Sequence, residues 1–302
     1  MERIFEYTVT GEYDGASIKT VLKQYYHMST ALIKSLKASE NGIIANGNRR
    51  HVNFILHKND KLTLTIHEER SGMIEPVKTD FGIVYEDEDI MIINKPAAIP
   101  THPSIGHFEN TLANGLMYYF LQKGEERTFH AVNRLDKDTS GLLCIAKNRY
   151  AHNLLCESLH KDFERKYSAI AEGCITESGT ICAPIGRCDD GIIKRCITKN
   201  GQYALTHYRP LKSFDLYTLV ELHLETGRTH QIRLHMSHIG HPLLGDWLYG
   251  TEDKSLFART ALHSSYIRLV HPISKKTMEF TAPLPQDMSD FLIKRNNLQT
   301  SL

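Results

Sequence analysis

The sequence predicts an α+β protein in which a small amino-terminal domain precedes a larger domain with a mostly antiparallel, mixed sheet flanked by helices. The chain has 302 residues, which exceeds one average domain but does not reach three. In its larger part, short strand-like segments recur between single helical segments, with connections too short for parallel crossovers. Apolar residues make up 41% and charged residues 24%, the composition of an ordinary globular protein.

Charge and cysteine content narrow the class further. The formal net charge is only +1, so any surface that binds nucleic acid must be local. The six cysteines form no CxxC pair, and we expect reduced thiols in a chain of this length. The amino-terminal residues do not resemble a targeting segment, and no uncharged apolar run approaches the roughly 18 residues of a membrane span. We therefore expect a cytoplasmic protein without a membrane span.

Residues 1–70 predict a small domain in which helices precede strands. After a strand-like opening, apolar residues between 18 and 36 stand at helical spacing in two groups, and Ser29 is placed to cap the second helix. Asn46-Gly47 indicates a hairpin turn, and residues 61–66 alternate as in a half-buried strand. Residues 71–80 contain Gly72 and Pro76 and lack apolar periodicity, which predicts an exposed linker before a second domain at 81–302.

The first domain resembles the S4 RNA-binding module. The shared pattern consists of Ser29, Gly42, the strand IIANG and the strand NDKLTL, although the module's usual first arginine is absent and Asn59 stands where Gly is common. The resemblance implies contacts with RNA phosphates, which bind the backbone without reading sequence. A plain solvated charged face is the alternative. The cations expected to make the phosphate contacts are Lys34, Lys37, Arg49 and Arg50.

The second domain opens with two predicted strands around an acidic turn, in IVYEDEDIMIINKP (83–96). Further strands are predicted at 141–147, 166–173 and 215–226. In the last of these, every second residue from Leu216 to Leu224 is expected on one buried face. Residues 148–163 predict a helix that Asn148 caps.

Polar residues concentrate where the strand 141–147 begins, in HAVNRLDKDTSGLLCIAKN (130–148). Such a cluster marks either a sharp turn or a functional site. By residue type alone, Asp136 and Asp138 are turn formers, and Ser140 is the better-known kind of nucleophile.

A second dense segment is TGRTHQIRLHMSHIGHPLLGDWLYG (226–250). Gly227 ends a strand, and apolar residues from Ile232 to Ile239 form the inner stripe of a helix that Gly240 terminates. Arg228 therefore lies at a strand-to-helix junction, where its side chain has little freedom.

Both segments resemble signatures of the RluA family of RNA pseudouridine synthases. These signatures are H-R-L-D-x-x-T-S-G-L-L and T-G-R-x-H-Q-I-R-x-H-x-x-x-x-G-H-P-[IL]-x-G-D-x-x-Y-G. Three weaker matches at 83–103, 164–173 and 258–272 follow in the family's order, so the resemblance covers residues 80 to 285. Asn133 and Ala98 depart from the family pattern, which has His and Gly there, and Asn133 bears on the geometry around the reacting group.

The resemblance implies an enzyme that converts uridine to pseudouridine in RNA without a cofactor or a metal. It assigns Asp136 as the nucleophile, Arg228 as its ion-pair partner, and Tyr167 as the aromatic residue against the uracil. It assigns Arg134 to the gap that a flipped uridine leaves in its stack. The implied partner is RNA, with large-subunit ribosomal RNA favoured by the S4-like domain and transfer RNA as the alternative. We also expect a monomer.

Three other interpretations of the same residues remain open. One is a catalytically inactive RNA-binding or ribosome-assembly factor that retains the fold. A second is a hydrolase that uses Ser140 or the Asp136/Asp138 pair, although the sequence contains no GxSxG segment. A third is a metal site, for which the candidate ligands are His230, His235, His238 and His241.

Overall fold

The computed structural model describes residues 2–68, 74–104, 108–159, 161–188 and 193–299. These residues form two units, each with its own sheet and its own apolar core. The α+β class predicted from the sequence is confirmed.

The amino-terminal unit is a four-stranded antiparallel sheet with two helices packed against it. Ser29 caps α2 as predicted, because its hydroxyl accepts a hydrogen bond from the backbone N–H of Leu32, and Ser17 caps α1 in the same way. The strands pair in the order β1-β4-β2-β3. The elements are β1 (Glu2–Thr8), a 3-10 turn (Gly11–Tyr13), α1 (Ile18–Gln24), α2 (Thr30–Ala38), β2 (Ile43–Ala45), β3 (Asn48–Arg49) and β4 (Lys61–His67).

The hairpin between β2 and β3 turns at Asn46 and Gly47, as the sequence predicts. Both residues have positive φ, 51° and 76°. A two-residue turn with both central residues in this region matches the right-handed twist of the strands, and Asn followed by Gly tolerates it best. The Asn46 side chain also donates to Asp60 and accepts from the backbone N–H of Lys61, which ties the turn to the start of β4.

The second unit contains a ten-stranded sheet, a separate two-stranded hairpin and four helices among the described residues. Its first elements are β5 (Gly82–Glu86), β6 (Ile90–Lys95), α3 (Leu112–Gln122), β7 (His130–Ala131), β8 (Ser140–Ala146), α4 (Arg149–Ser158), β9 (Glu164–Glu172) and β10 (Gly179–Cys182). There follow β11 (Ile185–Arg187), β12 (Arg195–Ile197), β13 (Leu205–Ser213), β14 (Tyr217–Leu224), α5 (Gln231–His238), β15 (Leu262–Val270), β16 (Thr277–Thr281) and α6 (Gln286–Gln299).

The large sheet runs in the order β10-β13-β14-β9-β15-β8-β6-β5, with β16 on β15 and β7 on β8. Among the described strands, β8 and β15 form the only parallel pair, so the predicted mixed, mostly antiparallel sheet is confirmed. Side chains alternate across β6 and β8, one set facing α3 and α5 and the other facing α4. Both faces are thus covered by helices. Within the described part of the chain, no helix is long and apolar enough to cross a bilayer.

The alternation predicted for strand β14 is correct except at Leu216, the first residue assigned to it. Its buried residues are Thr218, Val220, Leu222 and Leu224, in strict alternation. Leu216, predicted on the same face, is 66% exposed because the strand begins only at Tyr217. Leu216 instead lies in the preceding turn, where its carbonyl accepts from the backbone N–H of Gly173.

The predicted linker is not an exposed tether in its described part. Residues 71–73 lie outside the described residues, but residues 74–80 run along α3 and are partly buried. Ile74 packs against the core of the second unit, and the backbone N–H of Val77 donates to the carbonyl of Asn114. The sequence predicts an exposed segment here because its apolar residues pack one at a time along α3 and therefore show no periodic pattern.

The two units are docked through buried polar contacts. Arg3 of β1 makes a bidentate pair with the buried Asp89 at 2.9 and 3.0 Å. Buried Glu68 accepts a hydrogen bond from the backbone N–H of Arg149 at the start of α4. Tyr150 of α4 belongs to the amino-terminal apolar core, and its hydroxyl donates to the carbonyl of Tyr26.

We expect Arg3→Met to lower the free energy of unfolding by about 2–3 kcal/mol, because it leaves the Asp89 carboxylate buried without its cation. Arg209→Met is the matched control, since Arg209 pairs with Glu221 at the exposed surface and its loss should cost no more than about 1 kcal/mol. Urea denaturation followed by circular dichroism measures both. Equal losses would contradict a docking role for the Arg3 pair.

Candidate active site

Asp136 lies in the turn that leads into β8, where the backbone N–H of Thr139 donates to the Asp136 carbonyl at 3.2 Å. Its side chain is 23% exposed and faces a cavity. The turn is held from the side, because the hydroxyl of Thr101 donates to the carbonyl of Leu135 at 2.8 Å. The carboxylate is therefore presented by a braced turn and remains accessible.

Lys95 also supports the turn that carries Asp136. Its side chain is fully buried, and its Nζ donates to the carbonyls of Pro96, Ile99 and Lys137 at 2.8, 2.8 and 3.1 Å. Burial lowers the pKa of Lys95 to about 7, although the negative charges of Asp138 and Asp136 act to raise it. The segment after β6 is thereby bound to the turn that carries Asp136.

Gly141 allows the strand after Asp136 to approach its parallel neighbour. Its φ is 106°, and a Cβ there would collide with the backbone carbonyl of Ser264 on β15. Only glycine fits both conditions. The family signature residue at this position thus has a structural cause.

Arg233 is the guanidinium that faces Asp136, at 3.6 Å from Nη1 to the carboxylate. Its other nitrogens make a bidentate pair with Asp246, at 2.7 Å each. Asp246 is completely buried and also accepts from the backbone N–H groups of Leu248 and Tyr249. Although burial opposes its charge, the hydrogen bonds and charge of Asp246, with Asp136, raise the pKa of Arg233.

The expected pair between Asp136 and Arg228 is therefore corrected. Arg228 lines the cavity, but its Nε donates to the carbonyl of Tyr203 at 3.0 Å. Arg233 lies in the first turn of α5, and helical side chains tilt towards the amino-terminal end of their helix, which here faces Asp136. The sequence offers one signal for Arg233: it is a charged residue next to Ile232 of the apolar helix stripe. Its partner Asp246 follows thirteen residues later, after Gly245.

The sequence indicates no role for His230 other than metal ligand, yet the residue adjoins Asp136. Its Nε2 lies 3.9 Å from the carboxylate, and its Nδ1 is 3.0 Å from the hydroxyl of Tyr249. Burial lowers the pKa of His230, although the Asp136 charge acts in the opposite direction. Its backbone has φ 58°, so the residue that immediately precedes α5 lies in the left-handed region.

Tyr167 lies on β9 and forms part of both the cavity wall and the apolar core. It is 5% exposed, and burial, with a smaller contribution from the Asp136 charge, raises its pKa. The two interpretations of this tyrosine, core aromatic and site residue, are thus compatible.

Arg134 is exposed and lines the cavity. Burial lowers the pKa of the nearby His102, and the positive charge of Arg134 lowers it further.

Asn133, which replaces the family histidine, is buried and accepts a hydrogen bond from the backbone N–H of Cys144 at 2.8 Å. The asparagine therefore anchors the turn to β8.

The cavity has a volume of about 320 Å³ and collects the predicted residues Asp136, Tyr167, Arg134 and Arg228. Among the described residues that line it, Asp136 supplies the only carboxylate. Arg165 and Arg233 line it as well, and sequence reasoning overlooked both. The cavity is thus rich in guanidinium groups around one carboxylate, which suits a polyanionic substrate.

The four histidines proposed as metal ligands do not converge. His235 hydrogen-bonds to Thr206 and to the carbonyl of Ala183, and His241 hydrogen-bonds to the carbonyl of Glu172. Within the described ranges, the group with metal-ligand geometry is elsewhere, at Asp87, Asp89 and His271. There the two carboxylates already accept hydrogen bonds from protein donors: Tyr85, His271, Arg3, Asn148 and backbone N–H groups.

The hydrolase interpretation of Ser140 has a partial geometric basis. The Ser140 hydroxyl lies 2.9 Å from Nδ1 of His263. Both side chains are buried, however, and neither lines the cavity. Burial also lowers the pKa of His263 to about 4. A nucleophile that substrate cannot reach performs no hydrolysis, so the pair is a structural hydrogen bond.

The S4-like unit exposes three of its four predicted cations. Lys34, Lys37 and Arg49 are exposed, and an Nη of Arg49 donates to the carbonyl of Lys37 at 3.4 Å, which brings α2 and β3 together. Arg50 is half-buried, with its guanidinium 4.5 Å from the ring centre of Phe54. Arg50 is therefore less available to a phosphate than the other three.

A sequence profile described as "RNA pseudouridylate synthase" matches residues 89–238, the region that contains Asp136 and Arg233. An "Uncharacterized RNA pseudouridine synthase YjbO" from Bacillus subtilis (strain 168) is 42% identical over 275 residues, covering 89% of this chain and 96% of that protein. The chain belongs to this family. The RluA-family resemblance of the two signature segments is thereby confirmed.

Further members of the family align over most of the chain. The "Ribosomal large subunit pseudouridine synthase D" of Escherichia coli (strain K12) is 40% identical over 247 residues, covering 77% of this chain and 76% of that protein. Among solved structures, "Human RNA Pseudouridylate Synthase Domain Containing 4" is 25% identical with a TM-score of 0.59, covering 71% of this chain and 93% of that one. Pseudouridylate synthases are isomerases, since they rearrange a nucleoside without changing its composition.

We expect Arg233→Met to reduce kcat by at least about 100-fold, because it removes the preorganised cation beside Asp136. Arg228→Met should chiefly raise KM, since Arg228 lines the cavity without contacting the carboxylate. Release of tritium from [5-³H]uridine-labelled RNA measures turnover, and thermal melting checks the fold. The reverse order of effects would restore Arg228 as the partner of Asp136.

Proposed function

We propose that this protein is an RNA pseudouridine synthase that isomerises specific uridines in structured RNA, with Asp136 as its nucleophile and without a cofactor. The observation that carries the proposal is the Asp136 carboxylate, the only one among the described residues that line an arginine-rich cavity, held against Arg233 in a chain of the pseudouridylate synthase family.

The reaction exchanges one glycosidic bond for another. The bond from N1 to C1′ breaks, the uracil turns, and C5 bonds to C1′; C5 loses its proton and N1 gains one, so no electrons are exchanged with another molecule. A carboxylate suits this chemistry because it can hold the sugar or the base covalently and can stabilise oxocarbenium-like charge. Asp136 is the group in the cavity with that capacity.

The neighbouring residues have distinct roles in this proposal. Arg233 orients the Asp136 carboxylate and keeps its charge compensated, while Asp246 positions Arg233 from behind. Tyr167 packs against the uracil. Because burial raises the pKa of Tyr167, the phenol stays protonated near neutral pH and acts by positioning rather than as a base.

The target uridine must leave its stack to reach the cavity, at a cost of a few kcal/mol. Arg134 is exposed beside the nucleophile turn and is suited to occupy the vacated position. Lys34, Lys37 and Arg49 on the S4-like unit would contact phosphates farther along the same RNA. Because the two units are docked, these contacts and the cavity would act at a set spacing.

Large-subunit ribosomal RNA is the proposed target class, because a family member 40% identical to this chain is named for it and an S4-like unit is present. Transfer RNA is the alternative target. We propose that the protein acts as a monomer in the cytoplasm, where such RNA is made. The competing function is an inactive RNA-binding or ribosome-assembly factor, which the presence of both Asp136 and Arg233 disfavours.

Pseudouridine mapping tests the proposal directly. Total RNA from cells with the gene deleted is compared with RNA from cells restored with the wild type or with Asp136→Asn, by carbodiimide (CMC) primer-stop sequencing. We expect specific uridines to lose their signal on deletion and to regain it with the wild type alone. Asp253→Asn is the control, since Asp253 is an exposed turn residue bonded to Ser255. Unchanged ribosomal and transfer RNA would favour the inactive factor.

We expect Arg134→Ala to raise KM for an RNA stem-loop roughly tenfold, the range that loss of one stacking contact produces. Melting temperature should stay unchanged, because Arg134 is exposed. Lys137→Ala, an exposed cation in the same turn that does not line the cavity, is the matched control. Unchanged kinetics with the Arg134 variant would remove it from the substrate contacts.

A further inference from the structure

Arg165 is a buried cation in the cavity wall with incomplete hydrogen bonding. It lies on β9 two residues before Tyr167, so both side chains project from the same face of the strand. The residue is 5% exposed, and its Nε and Nη2 atoms are buried with no hydrogen-bond partner. The neighbouring Glu164 and Lys166, on the other face, pair with each other at 3.3 Å.

This arrangement is costly for the fold. Buried guanidinium groups in proteins are paired with anions or fully hydrogen-bonded, because desolvation of an unpaired charge is strongly unfavourable. An apolar side chain of similar length would fill the same space without that penalty. A feature that lowers stability within a functional cavity indicates that a ligand completes it.

Among the described residues that line the cavity, none supplies an anion for Arg165. The one carboxylate among them, that of Asp136, faces Arg233 and His230. On the neighbouring segment, a Cβ at Gly227 would lie 3.0 Å from Nη1 of Arg165, so the absence of a side chain there leaves room for the guanidinium. The missing partner must therefore come from the substrate.

We propose that Arg165 binds a phosphodiester group that flanks the target uridine. The identity of this ligand rests on the proposed function, because RNA is the substrate that brings an anion into this cavity. Uracil and ribose are neutral and could satisfy N–H donors but not the charge, whereas a phosphate offers both and matches the planar fork of a guanidinium. The site would hold the backbone of the flipped nucleotide while its base lies against Tyr167.

Binding of small probes tests the assignment without any turnover. Calorimetry compares uridine with uridine 3′,5′-bisphosphate on the full chain, for the wild type, Arg165→Met and Arg165→Lys. We expect the wild type to prefer the bisphosphate by about 10- to 100-fold, the range of a charge-assisted hydrogen bond. Arg165→Met should remove most of this preference, and Arg165→Lys should retain part of it. The separate 3′- and 5′-monophosphates then identify which phosphate is bound.

Arg209→Met is the control for loss of one positive charge, since Arg209 is exposed on β13 and does not line the cavity. It should keep the full preference. A wild type that binds the bisphosphate no tighter than uridine, or an Arg165→Met variant with an unchanged preference, overturns the proposal. Failure of the proposed function is seen separately, as the absence of any deletion-sensitive pseudouridine.

Stability distinguishes this role from a structural one. If Arg165 is held for a ligand, Arg165→Met removes an uncompensated buried charge, and we expect the melting temperature of the free protein to rise by about 2–4 °C. A residue needed for the fold would show the opposite shift. A fall in melting temperature together with a retained phosphate preference would assign Arg165 to the fold.

Discussion

The buried position of Arg233 is the constraint on which the site depends. A guanidinium in that place needs anions on both sides, and the structure provides Asp246 behind it and Asp136 in front. Asp246 is the buried, permanent partner, while Asp136 is partly exposed and remains free to meet a substrate. Three separate parts of the chain are thereby held in one arrangement: the turn before β8, helix α5 and the segment that follows it.

Other buried polar groups hold the Asp136 turn from different sides. Lys95 binds three carbonyls around it, and Asn133 anchors it to β8. Arg259 donates to the carbonyl of Asp138 and pairs with Asp287 of α6, so the carboxyl-terminal helix also supports the turn. Backbone carbonyls satisfied by long cationic side chains fix a loop without enclosing it in an apolar core. Asp136 can thus be both rigid and accessible.

The same principle extends to the amino-terminal unit. Its contacts with the second unit combine the polar groups of Arg3 and Glu68 with packing of Tyr150, Leu154 and Ile273 against the amino-terminal core. Glu68 also lies 3.3 Å from His130, which begins the segment leading to the Asp136 turn. The unit that carries the exposed cations Lys34 and Lys37 is thus connected, through packed groups, to the segment that carries Asp136.

Local features of this protein were determined by the sequence by itself. Hydroxyl and amide caps at Ser29 and Asn148, the Asn46-Gly47 turn and the alternation of β14 depend on residues a few positions apart, so their patterns suffice. The family resemblance also assigned Arg134, Asp136, Tyr167 and Arg228 to one site, and all four line the cavity.

Only the tertiary structure decided which of those residues meet. Arg228 and Arg233 are five positions apart, on either side of His230, the residue before α5. Arg228 is directed towards Tyr203, whereas Arg233 faces Asp136, which lies ninety-seven residues before it in the chain. The packing of residues 74–80 along α3 and the incomplete bonding of Arg165 likewise depend on distant segments. Charge pairing across such separations is set by packing, and no local pattern records it.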